Sequence, residues 1–193
     1  PPPNAGSNGS LTLCSNAPPQ DLFGSLGGTP QSGGTWTPAL ASGTGLFNPL
    51  VDPAGVYTYT AAGTPPCSNA TATVTVSITP APIAGVSTSL SSCVNSAAQD
   101  LFLLLGPTAQ IGGTWTPAMA SGTGFYDPSI DPPGVYTYTV LGTPPCLNAT
   151  ATVTISLIPP PNAGSNGSLT LCSNAPPQDL FGSLGGTPQS GGT

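Results

Sequence analysis

The side chains in this chain that could do chemistry are few and carry one sign. Its 193 residues include six carboxylates, Asp21, Asp52, Asp100, Asp127, Asp131 and Asp179, and no Lys, Arg, His or Glu. Ser, Thr, Tyr and Asp can take part in nucleophilic or acid–base steps only beside a group that activates them or shuttles a proton near neutral pH. The composition holds no such group, so no catalytic residue is assigned and the chain is read as not an enzyme. Calcium sites take six to eight oxygens, and Asp52, Asp127 and Asp131 do not fall in an Asp-rich loop. Asp next to Pro reads instead as a side-chain cap on a turn. No metal and no cofactor is expected.

The cysteines are the remaining reactive groups. Five Cys without a His point to disulfides and not to a metal. Their spacing follows an internal repeat at an offset of 79: Cys14, Cys93 and Cys172 are one position, Cys67 and Cys146 the other. The expected pairs are Cys14–Cys67 and Cys93–Cys146, one per repeat, with the partner of Cys172 outside residues 1–193. The alternative, Cys67 with Cys93, would staple neighbouring repeats across their junction. Closing a loop of about 53 residues stabilises by roughly 4 kcal/mol in the chain-entropy picture. Structural disulfides place the protein in an oxidising compartment, extracellular or at the cell surface.

The same offset relates whole stretches of sequence. Residues 33–39 return as 112–118, 63–67 as 142–146 and 69–75 as 148–154, while residues 1–35 recur letter for letter as 159–193. A period of this size signals an array of small modules. The expected units are 1–79, 80–158 and the first part of a third at 159–193. With no Met at residue 1, the sequence reads as a window on a longer array.

Charge then excludes partners. Without cations the chain cannot neutralise phosphates, so nucleic acid is not expected as a partner, and neither is an anionic lipid surface. No apolar run is long enough to insert in a membrane. The 37 % hydrophobic content, spaced in alternating runs, argues for a folded β protein over a disordered Gly/Pro-rich one.

Within a module, Pro1-Pro2-Pro3 is a stiff lead-in without ladder donors. Leu11 to Cys14 reads as a short strand, and Asp21 to Leu26 as a helical turn capped by Asp21 or an irregular strand. Thr35-Trp36-Thr37, Leu46-Phe47 and Val56 to Thr60 read as strands, with turns at Gly43-Thr44-Gly45 and around Pro49 and Pro53. Ala70 to Ile78 alternates most strictly, with Ala72, Val74, Val76 and Ile78 on one face and Thr71, Thr73, Thr75 and Ser77 on the other. Six or seven such strands predict an all-β, antiparallel β-sandwich per module. Trp36, Tyr57 and Tyr59, with Trp115, Tyr136 and Tyr138, form the expected cores. The junctions at 78–82 and 157–161 are short and proline-rich, which predicts modules joined end to end with limited hinge freedom.

The residues at 3–6, 11–14, 52–60 and 67–78 resemble the tandem immunoglobulin-like repeats of giant surface adhesins of gliding and related Bacteroidota. Those repeats carry Pro-Asn-Ala-Gly, Gly-Val-Tyr-Thr-Tyr and Cys-x-Asn-x-Thr-Ala-Thr-Val-Thr-Val runs. The resemblance covers essentially the whole chain and implies export, surface display, immunoglobulin-like sandwiches and an adhesive or fibre-forming stalk. The chain departs from it in lacking Lys, Arg and Glu.

Asn8, Asn69, Asn148 and Asn166 match the N-glycosylation acceptor pattern, and the Ser/Thr-rich faces offer O-linked positions. A glycan coat would keep a nearly uncharged rod soluble. The Thr71, Thr73, Thr75 ladder, repeated at Thr150, Thr152 and Thr154, has the form of a flat Thr-x-Thr face that orders ice, but also of the solvent side of an ordinary strand. The function expected is a structural shaft, with neighbouring modules, other copies in a fibre and surface glycans as partners. The alternative is a repeat that itself binds a ligand or glycan.

Overall fold

The computed structural model describes residues 2–43, 45–122 and 124–191. Pro1 of the lead-in and Thr44 of an expected turn lie outside them. The described residues form eight strands: β1 Gly9–Cys14, β2 Thr35–Thr37, β3 Gly55–Ala61, β4 Ala70–Thr79, β5 Thr88–Cys93, β6 Thr114–Thr116, β7 Gly134–Val140 and β8 Ala149–Ile158. They make two sheets of four strands, ordered β1-β4-β3-β2 and β5-β8-β7-β6, with the second repeating the first at the sequence offset of 79.

Each sheet is mixed, not antiparallel. β3 lies antiparallel to β2 and β4, but β1 runs parallel to β4, with Gly9 beside Val74 and Cys14 beside Thr79. Parallel neighbours need a long connection, and residues 15–69 supply it. The expected strand at Leu46-Phe47 is a single bridge between Phe47 and Gln20, because the surrounding prolines and glycines leave too few donors for a ladder. Asp21 does cap a helical turn. The Phe23 N–H donates to its Oδ1 at 2.9 Å, opening the 3-10 turn Leu22–Ser25.

The core lies between the sheet and this irregular layer. Alternation in β3 and β4 puts Tyr57, Tyr59, Ala72, Val74 and Val76 inward, against Leu22, Leu26 and Phe47. The second module buries Tyr136, Tyr138, Val153, Leu101 and Tyr126 in the same way. Phe47 meets Tyr57 edge-on with ring centres 5.6 Å apart, a favoured aromatic geometry. Trp36 and Trp115 are not core centres as expected. They are half-buried, because β2 and β6 are three-residue edge strands paired on one side only. Each Trp leans on the second tyrosine of its module, Trp36 on Tyr59 and Trp115 on Tyr138, both at 5.1 Å.

That tyrosine is held by two hydrogen bonds at its hydroxyl. The Tyr59 hydroxyl donates to Gln31 O and accepts the Gly34 N–H at 2.8 Å. Gly34 is required there, since a Cβ would lie 2.5 Å from Tyr59 Cζ. Tyr126 is the exception among the core hydroxyls. Its Oη is buried with no hydrogen-bond partner among the described residues, whereas the first module has Phe47 at this position. A buried hydroxyl without a partner costs its lost hydration. Tyr126→Phe should therefore raise the stability of the chain, by about 1 kcal/mol, read as a higher denaturant midpoint with an unchanged slope.

Candidate functional site at the module junction

The parallel pairing decides where the cysteines go. Cys14 ends β1 beside Thr79, at the C-terminal end of β4. Cys67 precedes Ala70, at the N-terminal end of the same strand. A strand of ten residues spans about 30 Å, while a disulfide needs Cα atoms within about 7 Å. The expected Cys14–Cys67 and Cys93–Cys146 pairs are therefore geometrically excluded, and Cys67–Cys93 would have to join opposite ends of the module pair. The structure pairs Cys14 with Cys146, with Cα atoms 4.9 Å apart and a sequence separation of 132. The staple does cross the junction, but it uses the other two cysteines. Cys67, Cys93 and Cys172 are free and exposed.

Other groups complete the joint. The Ala81 N–H donates to Ser15 Oγ at 2.9 Å, and the Ser15 N–H to Thr79 O at 2.8 Å. Cys146 Sγ packs 3.4 Å from Thr79 O and 3.5 Å from Pro80 O. Beside the staple lies a half-open recess of about 500 Å³ walled by Ala17, Pro18, Pro82, Pro145 and Leu147. Ser15 was not singled out from the sequence. At the offset of 79 its counterpart is Val94, so that repeat carries no signal for it, although Ser173 matches it at the offset of 158.

The carboxylates act as clamps. Asp52 is 2 % exposed, and its two oxygens accept N–H groups from Ser42 at 3.0 Å and Asn48 at 2.7 Å, tying two turns together. Asp131 repeats this with Ser121 and Asp127. Burial opposes the charge on Asp52 and Asp131, but the backbone and Ser hydroxyl donors outweigh it and hold both carboxyls below the ordinary range. Asp127, next to Pro128, accepts from the Ser129 N–H at 2.9 Å. No group of His, Cys, Asp or Glu among the described residues is arranged to hold a metal ion.

Asn8, Asn69, Asn148 and Asn166 are all exposed. Three of them also tether backbone, which motif reading did not anticipate: Asn8 Oδ1 accepts from Thr73 N–H, Asn69 Oδ1 from Gly63 N–H and Asn148 Oδ1 from Gly142 N–H. The Thr face of β4 points to solvent or lies half-buried, as the alternation requires. Each Trp forms the wall of a shallow open recess, Trp36 with Ala39 and Leu40, Trp115 with Ala118 and Met119. No helix among the described residues is long and apolar enough to cross a membrane. No protein-family model matches the chain, and no curated protein matches it significantly.

Two outcomes follow from the joint and the clamps. Peptide mapping after chymotryptic digestion of the oxidised chain should recover Cys14 linked to Cys146, and Cys146→Ser should lower the thermal midpoint and loosen the two modules relative to each other. Closing a loop of this length is worth about 5 kcal/mol in the chain-entropy picture. The stability supplied by Asp52 and Asp131 is present above the unfolded carboxyl value near 4 and is lost as pH falls through their lowered folded values. Burial raises the phenols of Tyr57, Tyr126 and Tyr136, helped by the nearby Asp charges, so their contribution is lost above about pH 10. Stability should thus be flat from about pH 5 to 9, and Asp52→Asn should blunt the acid limb in a pH series of melts.

Proposed function

We propose that the chain is a structural shaft, a run of immunoglobulin-like modules whose work is to hold length and direction outside the cell. The observation that carries this reading is the Cys14–Cys146 disulfide, which is spent on the joint between modules and not inside either one. A staple within a module would only stabilise it, whereas this one restrains how the next module sits. The proline-rich linker at 80–82 and the Ala81–Ser15 bond act in the same direction. The backbone-satisfied carboxylates and the absence of cations leave little for electrostatic recognition, and the reading needs neither catalysis nor cofactor. Disulfide use fits an exported protein, and the exposed Asn and Thr positions offer attachment points for sugar.

The half-exposed Trp36 and Trp115 favour a second reading, in which each module offers an aromatic ledge for a sugar ring. Solution scattering from the oxidised chain decides between them together with a glycan array. The shaft reading expects an extended particle, longer than the roughly 65 Å that two collinear ten-residue strands would span, with no glycan signal. A compact particle, or array binding lost in Trp36→Ala and Trp115→Ala, would replace it with the binding-module reading.

A further inference from the structure

Each sheet has two edges, and the sequence treats them differently. β2 and β6 close one side as three-residue strands, each stopped at once by a proline, Pro38 or Pro117. β1 and β5 close the other side as six-residue strands in unbroken register with β4 and β8. Folded proteins guard so long an edge with Lys, Pro, a bulge or a covering loop. Gly9–Cys14 and Thr88–Cys93 hold no charged residue and no proline, and no bulge interrupts their pairing. Neighbouring modules do not supply the guard. β1 is unpaired on its outer side with a whole module after it, and β5 with a whole module before it.

Hydrogen bonds fix which backbone groups point outward, because successive N–H groups of a strand turn to opposite sides. The Ser15 N–H donates to Thr79 O, and the Thr73 N–H to Asn8 Oδ1, so the odd-numbered residues of β1 face β4. The N–H and C=O groups of Ser10 and Thr12 therefore point away from the sheet. In β5 the Thr152 N–H donates to Ser87 Oγ and sets the same phase, which turns Ser89 and Ser91 outward. Among the described residues, no strand or loop outside the sheet bonds to these backbones. All four residues are exposed. Between them lie Leu11 and Leu90, which pack against the cores but are only half-buried.

We propose that β1 and β5 are pairing edges for a second copy of this chain, the same strand of each copy meeting antiparallel about a two-fold axis at Leu11 or Leu90. The row of groups is its own complement. Ser10 lies opposite Thr12 of the second copy and the two exchange both N–H···O=C bonds, and the two-fold axis repeats the exchange on the other side of Leu11. Leu11 then meets Leu11 of the second copy in the close non-hydrogen-bonded position, and each covers the flank that the edge leaves open. Ser89, Leu90 and Ser91 do the same in the second module. Charge agrees with a second copy as the occupant. The chain carries only negative side chains, so a charged edge would repel its own copy, and these strands carry none. The inference goes beyond the shaft reading and stands without it. Its consequence for a shaft is lateral bundling, because every module brings another edge and weak contacts in series act together.

The test uses the full oxidised chain with Cys67, Cys93 and Cys172 capped by iodoacetamide, so that no new disulfide forms. Sedimentation equilibrium up to about 1 mM chain should show reversible association. Amide exchange at Ser10, Thr12, Ser89 and Ser91 should slow more than about tenfold as the associated species forms. Thr12→Pro with Ser91→Pro removes outward donors, leaves the ladders to β4 and β8 intact and should weaken association more than about tenfold. Thr12→Glu with Ser91→Glu keeps every backbone donor. Its like charges across the new ladder should weaken association at low salt, and about 1 M NaCl should restore it, which a misfolded variant would not allow. A wild-type chain that stays monomeric throughout overturns the proposal, as does association that leaves the four amides unprotected or is indifferent to both double variants. Protection that appears only with an added strand peptide of unrelated sequence also overturns it and assigns the edge to a foreign strand.

Discussion

The parallel pairing of β1 along β4 is the contact on which the other features depend. It places the end of the first strand and the end of the last strand of a module at the same pole, so that Cys14 and Thr79 are neighbours and the chain leaves beside its own staple point. The loop that carries the second cysteine is thereby sent to the opposite pole. A module built this way has a cysteine at each end and cannot bond them to one another. Placed in series, the exit pole of one module meets the loop pole of the next, and the disulfide forms between them.

Satisfying polar groups without cations is the second constraint. A buried carboxylate is costly unless paired or hydrogen-bonded, and this composition offers no Lys, Arg or His to pair with. The chain meets the demand with backbone N–H groups and Ser hydroxyls, which converge on Asp52 and Asp131 and fasten the irregular layer over the sheet. Tyr hydroxyls do a similar service: Tyr57 donates to Pro53 O and Tyr136 to Pro132 O, each at 2.8 Å. The layer opposite the sheet therefore needs no second ladder, which is why so proline-rich a stretch still closes a core.

Substantial parts of this were legible in the residues. The offset of 79 marks both modules, strict alternation marks β3 and β4 with their inward Tyr and Val, and Asp21 marks a helical turn or an irregular strand, of which the structure has the 3-10 turn. These are local signals, since period two and a side-chain cap depend on neighbours within a few residues. The half-burial of Trp36 is not legible in the same way, because the size of a side chain says nothing about whether a second strand flanks it. Asn8 and Asn69 match the sugar-acceptor pattern, while their role as tethers of Thr73 and Gly63 depends on partners brought close by folding.

The sequence by itself determined the repeat, the β character, the lack of chemistry that needs a cation and the presence of paired thiol positions, all of which follow from composition and short-range pattern. Only the tertiary structure decided which thiols meet. Alternation looks the same in a parallel and an antiparallel strand, so the direction of β1 against β4 is not written in either segment. That direction is set by how the 55 residues between Cys14 and Ala70 wrap to bury Leu22, Phe47 and Tyr57 together. With it the pairing of the cysteines passes from within a module to between two of them.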